Sequence, residues 1–136
     1  MENDMIYELH NGNSKVREYK YDKIRFEGEY INGKKNGKGK EYDIYGRLRF
    51  EGECLNEERI GRGKEYYDDN LIFEGEYLNG ERNDKGKDYY ENGNLRFKGE
   101  YEDGETNGEG KEHNINGILE FEGEFINWKR KRKDKI

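Results

Sequence analysis

The chain has 136 residues; 43% are charged, 29% are apolar, none is Pro, and the formal net charge is −6. Leu, Ile, Val and Phe together supply 24 residues, roughly 18%, which excludes a conventional globular core and falls where disorder is the default. The 12 Tyr and 6 Phe argue against disorder, because disordered chains lack aromatics, and leave repetition or assembly as the routes to a fold.

Internal repetition dominates the sequence. Residues 5–25 read as a degenerate first copy, in which Asn11-Gly12 matches Asn32-Gly33 and Glu18-Tyr19 matches Glu41-Tyr42. Five copies of an aromatic-x-Gly-Glu motif follow, at Phe26–Tyr30, Phe50–Cys54, Phe73–Tyr77, Phe97–Tyr101 and Phe121–Phe125, spaced by 24, 23, 24 and 24 residues. Each lies in a predicted strand that alternates with period two. Its inward set is Ile24, Phe26, Gly28 and Tyr30 in one copy and Leu71, Phe73, Gly75 and Tyr77 in another, with Leu48, Leu95 and Leu119 opening the remaining three. Its outward set is charged, as in Arg25, Glu27 and Glu29. One greasy face and one charged face suit an antiparallel sheet with one side in water.

Asn32-Gly33, Asn79-Gly80 and Asp103-Gly104 mark turns, because Asn and Gly tolerate positive φ. A second strand follows each turn: Lys38–Tyr42, Arg62–Tyr66, Lys85–Tyr89 and Glu109–His113. A closing turn then contains Gly46, Asn70, Gly93 or Gly117. A single hairpin is marginal alone, so the hairpins are expected to stack and share a row of Phe, Leu and Tyr. Gly28 and its equivalents are expected to let an aromatic ring of the second strand lie over the backbone. Glu29, Glu53, Glu76, Glu100 and Glu124 form a ladder of like charge unless Lys40, Lys64, Lys87 and Lys111 interleave. The organisation is a degenerate repeat or cap over 1–25, a repeat array over 26–127 and a basic tail over 128–136. Lys129 to Lys135 hold six bases and one acid, so the rest of the chain stands at −11.

The run Phe26 to Gly39, Phe-Glu-Gly-Glu-Tyr-x-Asn-Gly-x-x-Asn-Gly-x-Gly, resembles the MORN (membrane occupation and recognition nexus) repeat, and Phe97 to Gly110 does so nearly as well. The resemblance covers about 110 of the 136 residues. It implies an all-β fold, an elongated, twisted, single-layer antiparallel sheet of stacked hairpins. It also implies a scaffold, a regulatory module or a partner of acidic lipids. The departures are Cys54 for the aromatic, Glu57 for the turn Gly, Asp84-Lys85 in the third turn, His113 for Tyr, and Trp128 for the last turn Gly, where the array is expected to end.

Catalytic chemistry finds little material. Ser14, Thr106 and Cys54 are the sole residues of their types, beside His10 and His113, so a nucleophile–His arrangement would use nearly all of them. A zinc site needs about four ligands, and only these three Cys and His residues offer soft or nitrogen ones. Paired carboxylates such as Glu27/Glu29 and Asp68/Asp69 carry no catalytic information in a chain with 32 acids. Cys54 reads as a small core residue and His113 as a stand-in for a stacking Tyr. No catalytic residue, cofactor or metal is expected. One Cys forms no internal disulfide, which suits a reducing, cytoplasmic setting. No run of about 18 apolar residues exists, and the acidic N-terminus lacks the apolar stretch of a signal peptide.

The expected function is a non-enzymatic interaction module that occupies a partner protein with a basic surface. Tyr42, Tyr66, Tyr67, Tyr89 and Tyr90 supply the contact, because adjacent residues on a strand point to opposite faces and one Tyr of each pair must leave the core. Glu53, Glu76 and Glu100 supply the attracting charge. One alternative is an acidic inhibitor, of antitoxin or phage anti-defence type, that blocks a nucleic-acid-handling enzyme. Another is a phosphoinositide-associated scaffold, which the basic tail favours and the acidic body opposes. The acidic body also disfavours direct nucleic-acid binding.

Overall fold

The structure, a computed structural model, describes residues 3–10 and 13–131. Asn11-Gly12 and the tail beyond Lys131 lie outside the described residues. Among the described residues, twelve strands run in chain order: β1 (Asn3–His10), β2 (Asn13–Lys20), β3 (Lys23–Ile31), β4 (Lys34–Tyr42), β5 (Leu48–Leu55), β6 (Glu58–Tyr67), β7 (Asn70–Leu78), β8 (Glu81–Tyr89), β9 (Leu95–Glu102), β10 (Glu105–His113), β11 (Leu119–Ile126) and β12 (Lys129–Arg130). Each pairs antiparallel with the next in one open sheet, as the repeat predicts.

The connections follow the turn chemistry. Asn32-Gly33, Asn79-Gly80 and Asp103-Gly104 take positive φ at both positions, the geometry whose twist matches a hairpin. Glu57 (φ 77) and Trp128 (φ 66) replace Gly without loss of the turn, so the array does not stop at Trp128: β12 follows it. Successive turns are tied together, because Gly80 N–H donates to the Arg59 carbonyl (3.0 Å) and Gly104 N–H to that of Arg82 (3.0 Å). On the opposite end, residues 43–47, 90–94 and 114–118 form loops with Gly46, Gly93 and Gly117 at positive φ. Asn70 does not share that role. It opens β7 after a two-residue Asp68-Asp69 turn, and this shortening accounts for the period of 23. Asp84 likewise lies inside β8, not in the turn; at φ 60 it occupies the bulge that Gly37, Gly61 and Gly108 occupy in neighbouring hairpins.

One glycine from each strand, from Gly28 in β3 to Gly123 in β11, stands directly opposite the next and forms a continuous rail. The ring over each glycine differs from the expected one. A Cβ on Gly28 would lie 2.7 Å from Phe26 Cζ, and one on Gly39 2.8 Å from the same ring. The ring is therefore the motif Phe of the first strand, two residues before the glycine, and not an aromatic of the second strand. The motif Tyr of the next hairpin approaches too, with a Cβ on Gly86 falling 3.0 Å from Tyr101 Cε1.

The inside–outside assignment of the first strands holds at its centre. Phe26, Phe50, Phe73, Phe97, Tyr30, Tyr77 and Tyr101 are buried. Phe73 meets Tyr101 edge to face at 5.2 Å, as Phe50 meets Tyr77. The leucines that open the strands leave the inward set: a bulge at each entry puts Leu48, Leu71, Leu95 and Leu119 directly opposite Tyr42, Tyr66, Tyr89 and His113, on the charged face, where the first three are half-buried and Leu119 is 47% exposed. Cys54 is buried, as expected of a small core residue, and the core divides there into two clusters, since no ring fills the place between Phe26 and the next hairpin. Cys54→Tyr is expected to raise the thermal midpoint by several degrees, through about 1 kcal/mol of added packing, in a differential scanning experiment.

Candidate functional site

The aromatic face carries its own electrostatics. Lys35, Arg59, Arg82 and Arg130 recur at the repeat spacing, each with its cation over a motif Phe; Arg82 lies 4.0 Å from the Phe73 ring centre. Arg82 Nε also donates to Glu65 Oε2 (2.8 Å) and Nη1 to Asp88 Oδ2 (3.3 Å), and the Tyr77 hydroxyl donates to Glu65. In the fourth copy the cation's place is taken by Thr106, fully buried, whose Oγ1 accepts the Trp128 N–H at 2.6 Å. The Trp128 ring then covers Phe97 (5.8 Å) and Tyr101 (5.7 Å) in place of a guanidinium. Arg82→Met is expected to cost roughly 2 kcal/mol in urea unfolding, because it strands the half-buried Glu65 without its cation and leaves the buried Asp88 with Arg96 alone.

These carboxylates set a pH dependence. Burial pushes the Glu65 carboxyl up, but the Arg82 hydrogen bond and charge, with the Tyr77 hydroxyl, outweigh it and hold it below its ordinary value of 4.5. Its contribution is therefore complete above pH 4.5 and is lost as the pH falls through the depressed value. Asp88 moves the other way: burial raises it against the pull of Arg96 and Arg82. Glu65→Gln is expected to be less stable than wild type at pH 7, with the gap closing as the pH falls below 4.5, in urea midpoints measured across that range.

The opposite face is the charged one. The residues on either side of each rail glycine point there, giving two rows of side chains. In one row Glu27 faces Lys40, Lys40 faces Glu51, Glu51 faces Lys64, Lys64 faces Glu74 and Glu74 faces Lys87. Lys40, Lys64 and Lys87 thus interleave with the glutamates before the glycines, not with those after them. The latter face Lys38 (Glu53), Arg62 (Glu76) and Lys85 (Glu100). Two shallow grooves run along this face over the glycine backbone, about 670 Å³ across β2–β7 and about 460 Å³ across β6–β11.

The residues expected to contact a partner separate into groups. Glu53 and Glu100 are exposed and Glu76 half-buried on the charged face, where Glu100 Oε2 accepts the Glu109 N–H (3.2 Å) and Glu76 Oε2 the Lys85 N–H (3.5 Å) beside their bulges. Tyr42, Tyr66 and Tyr89 are half-buried and share one register, opposite Leu48, Leu71 and Leu95. The Tyr89 hydroxyl donates to Glu74 Oε1 (2.7 Å), which places it on the charged face; burial and this bond push it up to about 12. None of the three joins the core, whose rings all come from the motif strands and the Trp128 turn. Tyr67 is 66% exposed beside the Asp68-Asp69 turn, and the half-buried Tyr90 donates to the His113 carbonyl (2.8 Å). His113 occupies the Tyr89 register, opposite Leu119, and its Nδ1 is buried without a partner.

The topology puts every even-to-odd connection at one end of the sheet. Tyr21 (62% exposed), Tyr45 (66%), Tyr67 and Tyr90 therefore line one rim, with Ile44, Ile115 and Ile118 exposed among them. Tyr45 went unmarked in the sequence because it lies in a loop outside the motif; its place beside Gly46 was the available sign. Among the described residues, no three His, Cys, Asp or Glu side chains come together to hold a metal, and no helix is long and apolar enough to cross a membrane.

No protein-family model matches the chain, and no curated protein is similar to it. The geometry of the two faces and the rim therefore carries the functional reading.

Proposed function

We propose that the chain is a MORN-type repeat module that performs no catalysis and acts by occupying a partner protein. The rim at the even-to-odd connections is the contact surface, and the partner's matching surface is basic. The observation that carries this reading is Tyr45 and Tyr67, each two-thirds exposed, standing on successive connections of one rigid sheet. Tyr on a rigid frame offers contact area at low conformational cost. The acids beside it, Asp69 and Glu91, are exposed and set the sign of the partner, while Asp68 is paired with Arg47. Tyr42, Tyr66 and Tyr89 are a lesser part of the surface, since each is already half-covered. The reading as an inhibitor that mimics nucleic acid draws no support from the charged face, where each carboxylate over β3–β8 faces a base.

The test is a Tyr45→Ala, Tyr67→Ala variant, with folding checked by its thermal transition, assayed against a partner identified by affinity capture. A loss of about tenfold or more in affinity is expected, with a slower on-rate for wild type as salt is raised. Unchanged affinity contradicts the rim as the site.

A further inference from the structure

The row of the charged face that holds Lys40, Lys64 and Lys87 departs from its alternation at one strand. The residue before the rail glycine is Glu27, Glu51, Glu74 or Glu122 in four copies, but Lys98 in β9. Lys98 stands directly opposite Lys87 on one side and Lys111 on the other. At an inter-strand spacing of about 4.8 Å, three amines thus follow one another over about 10 Å. Like charges directly opposite each other destabilise a sheet. Elsewhere in this row such neighbours are of opposite sign, and Lys40 reaches Glu51 at 3.6 Å; in the row across the rail Glu109 stands opposite Glu124. Among the described residues, none of the three lysines forms an ion pair. They line the second groove, about 460 Å³, whose floor is backbone at Gly86, Gly99 and Gly110. Glu74 and Glu122 close the row at its two ends, and Glu100 and Glu109 stand across the rail.

We propose that Lys87, Lys98 and Lys111 form a binding site for a compact oxyanion of two or more charges, of the pyrophosphate class, seated in this groove over Gly99. The anion relieves a repulsion centred on Lys98, which of the three is the one with no acid directly opposite it. The bracketing acids limit its size: a polymer that outruns the lysine row meets Glu74 or Glu122, so a short anion is held and a nucleic-acid strand is repelled. This site is separate from the tyrosine rim and goes beyond the partner-binding role.

The test uses sodium pyrophosphate as the probe, at ionic strength matched with sodium chloride. The wild-type thermal midpoint is expected to rise saturably, by about 3 °C or more at tenfold excess over Kd, with a matching shift of the Gly99 amide resonance. Lys98→Glu restores the alternation. Its midpoint without ligand is expected at or above wild type, and its response to pyrophosphate is lost. Lys98→Gln is expected to bind about tenfold more weakly. Glu51→Lys sets a third lysine between Lys40 and Lys64 and is expected to gain a second response in the other groove. An equal response in wild type and Lys98→Glu overturns the proposal, as does no saturable response in wild type. Binding to phosphatidic acid vesicles that needs Lys98, with no response to pyrophosphate, also contradicts a site for the free ion. So does tighter binding of a 20-nucleotide strand than of pyrophosphate.

Discussion

Phe73→Ala is expected to lower the unfolding free energy by about 3–5 kcal/mol, the range for truncating a buried Phe. Phe73 has no exposed surface, lies at mid-array, and contacts Tyr77 and Tyr101 edge to face at 5.7 and 5.2 Å. Its ring also covers Gly75 and Gly86 and carries the Arg82 cation. The sheet is a single layer, so no second sheet collapses into the space left behind. Glu74→Ala, one residue along on the charged face, loses the Tyr89 hydrogen bond and a cross-strand neighbour, and is expected to cost about 1 kcal/mol. Urea unfolding of the two variants measures both. Similar midpoints would place Phe73 outside the core.

Gly86→Ala is expected to be comparably severe, although it adds a single methyl. The new Cβ would lie 2.6 Å from two carbons of the Phe73 ring and 3.0 Å from Tyr101 Cε1. Overpacking of this kind costs roughly 1–3 kcal/mol, and more where two buried rings must move together, so about 3 kcal/mol is expected. Gly80→Ala provides the contrast. Its Cβ would meet nothing within 4 Å, and its cost of about 1 kcal/mol comes from the φ of +86° alone. The rail glycines are thus required by close approach and the turn glycines by backbone conformation. Thermal midpoints separate the two effects, and the larger loss belongs to residue 86.

Much of this architecture was legible because a strand alternates. Once Phe26, Gly28 and Tyr30 share a face, Glu27 and Glu29 must share the other, and five copies at one spacing leave little freedom. The second strands were harder to read. Their inward positions hold Gly39 and Glu41, Gly63 and Glu65, or Gly86 and Asp88, and none of these resembles a core residue. The visible aromatics, Tyr42, Tyr66 and Tyr89, drew the inward assignment instead. Counting by two from Gly86 to Asp88 puts Tyr89 on the charged side, as its bond to Glu74 requires.

The cation column was hidden for a related reason. Lys35, Arg59 and Arg82 lie two residues after each turn and look like surface charge until the paired acids Glu41 and Glu65 are placed beside them. The exchange of Arg for Thr106 and Trp128 joins two residues 22 positions apart, which no local pattern reveals. The candidate rim followed from topology rather than from motif. Tyr45 and Tyr67 differ in their local sequence and share a surface only because consecutive hairpins bring every second connection to one end.

The central claim is a single-layer sheet in which each motif Phe lies over its own strand's glycine and the glycine of the next strand. Nuclear Overhauser contacts at Gly86 test it most directly. The Gly86 Hα protons are expected to show strong contacts to the Phe73 ring, to the Tyr101 ring and to Gly75 Hα, and to resonate upfield through the ring currents. Contacts from Gly86 Hα to the Tyr89 or Tyr66 ring, with none to Phe73, would contradict the register and both faces that rest on it.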